Sequence, residues 1–323
     1  MKRLLKRRGP RRLLTTMALG AVLATTLFLV PDSTSAPEDA VLVSMPSASK
    51  VDIGTDMLYV LAVGTDARPG EELTHARGDA IQMVSINTKT GAAAIIGVPR
   101  DSWVNIPGYG YEKINAALYF GGPKLFGQVV GDLVGIQPDY VFLTRFEGIQ
   151  HLVGGIGGVD IVNPFYFDDE NLKAKGFQAG KIHLTGYEAM AYSRIRHALI
   201  RGDFDRSRHQ EVVMRAIQKK VARKRGKVGF VAEGVASVMK YLHTDLSPKK
   251  LFQLGHLLAD IDPKKVTNCV VQGGIGVSSG GASIVEPYVE QARSMGADAK
   301  KDGVLSKCES PFAVPDPASG AAH

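Results

Sequence analysis

The chain has 323 residues, 45% of them hydrophobic and 22% charged, with a formal net charge of +7. These are globular proportions, which exclude wholesale disorder, and the length suits one large domain or two small ones. The charge does not indicate a nucleic-acid partner: Lys2, Arg3, Lys6, Arg7, Arg8, Arg11 and Arg12 crowd the first twelve positions, and without those seven the remaining 32 Lys and Arg face 32 Asp and Glu.

Residues 1–12 are followed by an uncharged run, Leu13 to Val30. Eighteen residues rise about 27 Å as a helix, close to the hydrocarbon thickness of a bilayer. Basic flanks stay on the cytoplasmic side, so residues 1–12 read as a cytoplasmic segment and 13–30 as a single transmembrane signal-anchor. The bulk of the chain is then extracytoplasmic. A cleaved signal peptide is the alternative, because Ser33-Thr34-Ser35-Ala36 offers small residues of the right kind. The length of the apolar run and Pro37 after the candidate cut favour a retained anchor. Residues 31–50, rich in Ser, Pro and Ala, read as an extracytoplasmic linker.

Beyond the linker, Met57–Val63, Asp79–Ile86 and Ala92–Val98 are predicted strands, the last two joined by the polar turn Asn87–Gly91. Helical spacing follows over Leu125–Leu133, a strand over Tyr140–Thr144, a helix over Phe146–Val153 and a short strand over Val159–Val162. Leu184–Tyr192 and Asp205–Arg225 read as helices. Lys249–Ala259, Val266–Val271 and Ile284–Ser294 form a helix–strand–helix tail, and the residues from Pro311 carry no structural signal. Strands and helices that do not alternate strictly imply an α/β fold with a mixed sheet flanked by helices. Cys269 and Cys308 are the chain's two cysteines. An oxidising compartment lets them pair, and two thiols without a histidine cluster make no structural zinc site.

Charge concentrates in four segments at predicted strand ends and loops: Gly64-Thr65-Asp66-Ala67-Arg68, Arg77-Gly78-Asp79, Pro99-Arg100-Asp101, and the pair Tyr192–Arg196 with Gly202–Arg206. Gln210 follows Arg206 by four residues, which places both on one helix face. Taken singly, each is an ordinary solvated surface charge, and together they would also suit a surface ion-pair network. As a set they have the chemistry that a divalent cation and a pyrophosphate require. Carboxylates together with phosphate oxygens hold Mg²⁺, and arginine forks bind phosphate bidentately.

The runs LAVGTDAR, ARGDAIQMVSINTKTG, VPRDSWVNIPGYGYEKINAAL, YSRIR and DFDRSRHQ, in this order, resemble the LytR–CpsA–Psr family. The resemblance covers about Met57 to Lys219, with a family-like tail to about Val304. It implies a catalytic domain over 51–304, a tail over 305–323, and a sheet and helices that enclose an apolar lipid tunnel. Phe142, Phe146, Phe165, Tyr166, Phe167, Val212, Val213 and Ile217 are apolar candidates for that tunnel, although such stripes are ordinary core far more often. By the same resemblance Asp66 and Asp79 hold Mg²⁺ (or Mn²⁺), and Arg77, Arg100, Arg194, Arg196, Arg206 and Gln210 surround the phosphates. Asp101, Lys113, Asn115 and Asp203 lie in matching motifs. Lys113 is carried as a phosphate group and Asp101 as a catalytic one, while Asp203 serves equally as a helix cap. The family often has arginine immediately before the glutamine. Here His209 stands there, and a neutral histidine is not counted as a ligand.

The implied reaction moves a glycopolymer, as glycosyl phosphate, from a polyprenyl-pyrophosphate carrier to a peptidoglycan hydroxyl. Asp66, Asp79 and Asp101 are each able to serve as base; a metal-bound carboxylate is a poor one, which favours Asp101. Hydrolysis by the same site is the alternative within the enzyme class. A membrane-bound regulator is the alternative outside it, but a twelve-residue segment with seven basic residues is too short for a cytoplasmic reader.

Overall fold

A mixed seven-stranded sheet organises the chain. The computed structural model describes residues 40–46, 56–68, 70–195, 199, 203–224, 226–227, 229–239 and 242–306. The sheet strands are β1 (Ala40–Ser44), β2 (Met57–Thr65), β3 (Gly78–Asn87), β4 (Ala93–Gly97), β7 (Tyr140–Arg145), β12 (Leu242–Thr244) and β13 (Val266–Val270). Their order is β12-β1-β7-β2-β3-β4-β13. The pairs β1/β12, β2/β7 and β4/β13 run parallel, and the other three are antiparallel.

The period of two along each strand sends alternate residues to opposite faces. Leu61, Val63, Ile81, Met83, Ala94 and Ile96 share one buried cluster with Phe126, Val130 and Val134 of α1 (Ala116–Val134) and Ala292 and Met295 of α7 (Val289–Asp302). On the other face Leu58, Ile86, Ala93 and Ile95 meet Val235 of α5 (Phe230–Met239) and Leu251 and Leu254 of α6 (Pro248–Asp260). With both faces covered, β4 is buried at every position, which explains its near-continuous apolar sequence.

A second core lies between α2 (Phe146–Gly155), α3 (Gly186–Arg194), α4 (Asp203–Lys224) and two hairpins. The hairpins pair β8 (Val159–Asn163) with β11 (Gly180–Leu184) and β9 (Phe167–Asp169) with β10 (Lys173–Phe177). Phe167 and Val213 belong to this core, whereas Phe165 and Tyr166 stay exposed. Two further hairpins pair β5 (Trp103–Ile106) with β6 (Gly110–Lys113), and β14 (Gly273–Val277) with β15 (Ser283–Pro287).

Three expectations are corrected. The segment 31–50 is not linker throughout: Ala40–Ser44 is a buried strand between β7 and β12, and its apolar AVLVS is too short to stand out beside a Ser/Pro-rich stretch. Ile284 opens no helix. It lies in β15, and the helix begins at Val289 after Pro287, whose ring disfavours helical backbone at the preceding residue. Leu184 ends a strand, and Thr185 caps α3 through a capping box with Glu188. The predicted anchor at 13–30 and residues 307–323 of the predicted tail 305–323 lie outside the described residues; among the described ones no helix is long and apolar enough to cross a membrane.

Candidate functional site

The first three charged segments meet at one rim of the sheet because β2, β3 and β4 are antiparallel neighbours. Thr65 pairs with Gly78, so Asp66 leaves β2 where Arg77 and Asp79 enter β3. The Arg77 amide donates to Asp66 Oδ1 at 3.0 Å, and the Asp66 amide donates to the Arg77 carbonyl at 3.2 Å. Gly78 carries no side chain for a packing reason: a Cβ there would stand 2.8 Å from the Phe126 ring. Arg100 follows β4 and reaches back, its Nη1 donating to Asp79 Oδ2 at 2.6 Å. The other oxygen, Asp79 Oδ1, is buried and has no hydrogen-bond partner.

Arg194 and Arg206 arrive from the second core. Arg194 ends α3 with its guanidinium 4.6 Å from the centre of the Phe146 ring. Arg206 is buried in the first turn of α4. Gln210, one turn later, donates to the Asp79 carbonyl at 3.4 Å and to the Ser193 carbonyl at 3.3 Å. Its amide therefore ties together the three elements that carry Asp79, Arg194 and Arg206, which is a positioning task.

Two adjoining clefts share Asp79, Phe146 and Arg194. The first, about 340 Å³, is also lined by Arg100, Arg206, Asp169, Asn171 and Leu172. The second, about 420 Å³, adds Asp66, Ala67, Arg68 and Glu147. Charge is thus divided: three arginines against two carboxylates in one lobe, three carboxylates against two arginines in the other. An anion is favoured in the first and a cation in the second. The open Asp79 oxygen at their junction, with Asp66 in the same lobe, fits a divalent cation. Among the described residues no group of three or more His, Cys, Asp or Glu gathers to hold a metal unaided, so ligand oxygens would have to complete the coordination.

Other expected site residues lie apart. Asp101 is buried and paired with Lys113 at 2.9 Å, because the β5–β6 hairpin folds back to set Trp103 against Lys113. Neither lines either of these two clefts, so this placement does not favour Asp101 as the base or Lys113 as a phosphate ligand. Arg77 is exposed and contacts the site through its backbone. Asn115 is the buried residue before α1 and makes no side-chain cap. Arg196 lies outside the described residues, as does the side chain of Asp203.

Sequence reasoning missed three groups. Arg145, buried at the end of β7, donates to the Arg68 and Glu71 carbonyls and so pins the loop that follows Asp66. Asp169 and Glu147 line the clefts from a hairpin and a helix start. An arginine closing an otherwise apolar strand was the one legible signal. His209 sits inside an aromatic stack, where burial pushes its pKa down to about 4, which accords with leaving it out of the ligand set.

The chain is similar to known proteins. The LytR_cpsA_psr family model matches residues 29–301. The polyisoprenyl-teichoic acid–peptidoglycan teichoic acid transferase TagU of Bacillus cereus is 32% identical over 201 residues, 62% of this chain and 64% of TagU. TagT of Bacillus subtilis, given the same activity, is 36% identical over 186 residues, 54% of this chain and 56% of TagT. The match therefore spans less than two thirds of either relative. The solved structure of the LytR-CPS2A-psr family protein YwtF (TagT) with bound octaprenyl pyrophosphate lipid superposes with a TM-score of 0.59 at 26% identity, covering 78% of this chain and 92% of that one. With a family match over most of its length and a mixed sheet that carries the motif residues at one rim, the chain belongs to the LytR–CpsA–Psr family.

Proposed function

We propose that the protein is a phosphotransferase that moves a glycopolymer, as glycosyl phosphate, from a polyprenyl-pyrophosphate carrier to a hydroxyl of peptidoglycan, releasing polyprenyl phosphate. The observation that carries this reading is the convergence of Arg100, Arg194 and Arg206, from three distant stretches of sequence, on a cleft that shares Asp79 with a carboxylate lobe. Transferase relatives and the lipid-bound YwtF (TagT) structure support it.

Phosphoryl transfer depends mainly on position and charge. In this proposal the arginine lobe binds the pyrophosphate, and Arg100, Arg194 and Arg206 offset the charge that grows on the departing polyprenyl phosphate. Fixed donors suit that task because they need little rearrangement as charge develops. Gln210 and Arg145 hold the backbones on which the charged groups stand. Phe146 and Leu172 provide an apolar wall for the first isoprene units of the carrier, the entry to an apolar lipid tunnel. Asp66 and Asp79 are the residues that would hold Mg²⁺, which when bound neutralises phosphate oxygens and orients the pyrophosphate. The catalytic body, residues 51–304 together with the strand at 40–44, would lie outside the cell membrane on a single anchor at 13–30.

Purified protein incubated with a lipid-linked glycan and a peptidoglycan fragment tests the reading. A phosphodiester-linked glycan–peptidoglycan product is expected. Release of glycosyl phosphate alone, with no product when acceptor is abundant, would make the protein a pyrophosphatase. Protease added to intact spheroplasts should digest the body; digestion only after permeabilisation would reverse the orientation.

A further inference from the structure

Three rings of the second core stand at fixed short distances in sequence from three groups of the arginine lobe. Phe167 lies 5.4 Å from Tyr192 and 4.9 Å from His209, and Tyr192 lies 4.2 Å from His209. Asp169 follows Phe167 by two residues, Arg194 follows Tyr192 by two, and Arg206 precedes His209 by three. Packing the rings together thus brings Asp169, Arg194 and Arg206 to one cleft, which all three line with Asp79 and Arg100. Asp169 is held firmly. It closes β9 opposite Lys173, and its Oδ1 accepts the amides of Asn171 at 3.0 Å and Leu172 at 3.1 Å. Those bonds fall on one oxygen and leave Oδ2 as the open acceptor.

A carboxylate repels phosphate, so Asp169 does not serve donor binding by charge. A hydroxyl is the group that it suits. The neighbouring carboxylates have other tasks. Asp79 pairs with Arg100, and Asp66 takes the Arg77 amide. Asp101 is buried against Lys113, and Asp168 accepts from the Tyr166 hydroxyl at 2.9 Å without lining the cleft. Glu147 lines only the carboxylate lobe.

We infer that Asp169 is the general base of the transfer, a catalytic residue that receives the proton of the acceptor hydroxyl. The assignment rests on the transfer reading above. As the acceptor oxygen forms its bond to the phosphorus of the glycosyl phosphate, its O–H proton passes to Asp169 Oδ2. The P–O bond to the carrier breaks, its electron pair leaves with polyprenyl phosphate, and the proton on Asp169 is later lost to solvent. Charged groups facing Asp169 are Asp79, Arg100, Arg194 and Arg206 across the cleft; on the hairpin itself Lys173 is engaged by Glu188, and Glu170 is exposed.

The test compares the full chain with Asp169→Asn, Asp169→Glu and Glu147→Gln. Asparagine keeps an oxygen for the Asn171 and Leu172 amides, so the turn survives, and a thermal melt checks this. For Asp169→Asn, kcat for transfer should fall about 100-fold or more. Its affinity for an unreactive lipid-pyrophosphate analogue, read by titration, should stay within about twofold, and the acid-side decline of the kcat–pH profile should flatten. Asp169→Glu should recover much of the rate, and Glu147→Gln, which removes a charge from the carboxylate lobe, should keep the acid-side decline of the kcat–pH profile. Wild-type kcat in Asp169→Asn, or a loss matched by equal loss of analogue affinity, overturns the assignment. A loss confined to Glu147→Gln assigns the base to the other lobe. If Asp169→Asn melts early, Asp169→Glu decides: an unchanged acid limb and rate support the base, and an inactive but folded glutamate variant overturns it. No transfer by wild type, with all variants equally inactive, overturns the transfer reading instead.

Discussion

His209 stacks on Tyr192, with ring centres 4.2 Å apart and planes 26° from parallel, and its Nδ1 lies 3.2 Å from the Tyr192 carbonyl oxygen. A carbonyl only accepts, so Nδ1 carries the hydrogen and donates it. Burial is the dominant influence on the imidazole and pushes its pKa down to about 4; the Tyr192 carbonyl and Asp205 oppose this only in part.

The unfolded chain protonates this histidine near pH 6.5. The folded pKa is lower, so the contribution to stability is complete above that value and is lost as pH falls toward 4. We expect the melting temperature of the wild type to drop across this window. His209→Phe keeps a ring in the stack and should drop less steeply. At pH 7.5 it should melt slightly lower than wild type, for the lost hydrogen bond, worth about 1 kcal/mol. Parallel melting curves from pH 7.5 to 4 would show that other groups govern acid stability.

Glu211 presents the opposite sign. It is buried on α4, accepts from Asn268 Nδ2 at 2.8 Å, and crowds Gly97 so closely that a Cβ there would meet Glu211 Oε1 at 2.8 Å. Burial pushes its pKa up to about 8, against smaller opposing effects of Asn268, Arg208 and the Gly97 amide. Its contribution is therefore complete below about pH 4.5 and is lost as pH rises toward 8. Glu211→Gln removes the charge at nearly constant volume and should gain on wild type as pH rises. A gain of a few kcal/mol at pH 8 would raise the melting temperature by roughly 5 °C or more. A difference independent of pH between 5 and 8 would show that Glu211 is ionised in the fold.

Arg100→Lys and Arg206→Lys test geometry against charge. Arg206 is 5% exposed, and Arg100 bridges from β4 to Asp79, so each guanidinium is fixed before any ligand arrives. Lysine preserves the charge but not the fork. Each change should lower kcat/KM for transfer by about 100-fold, the usual effect of losing one preorganised donor, while melting temperature stays near wild type. Wild-type turnover in either variant would reduce that residue to a general electrostatic contributor.

The proposed cation site predicts coupling. Titration of a lipid-pyrophosphate analogue with and without Mg²⁺ should show affinity higher by about 10-fold or more with the ion, and by linkage Mg²⁺ should bind tighter by the same factor with lipid present. Asp66→Asn and Asp79→Asn should both weaken this coupling. Asp66→Asn is the cleaner probe, since Asp79→Asn also releases Arg100. Equal affinity in both conditions, or full activity in excess chelator, would assign the aspartates to the fold and the arginines.

Cys269, buried in β13, is disulfide-bonded, and Cys308 lies outside the described residues. Peptide mapping without reductant should recover the two linked. Cys269→Ser should cost about 3–4 kcal/mol on the chain-entropy account. Alkylation of both as free thiols in exported protein would refute the link.

Much of the fold could be read directly because its signals are local. The apolar runs of β3 and β4 and the turn at Asn87–Gly91 define a hairpin, and the antiparallel pairing of β2 with β3 then brings Asp66, Arg77, Asp79 and Arg100 to one rim. The motif set was legible for the same reason: each charged segment stands at an end of a strand or of a helix. Elements that depend on distant partners were not. Ala40–Ser44 becomes a strand because β7 and β12, far along the chain, take up its backbone hydrogen bonds.

What the sequence determined by itself was the mixed α/β class, the family and most of the charged groups at the rim. Only the tertiary structure decided which of those groups face the clefts. Asp101 is paired with Lys113, Gln210 is taken up by two carbonyls, and Asp169 enters from a hairpin. The reason is physical. A side chain's role depends on which neighbour desolvates it and which partner reaches it first. Asp169 reaches the cleft through the packing of residues 167, 192 and 209, a juxtaposition that no local pattern encodes.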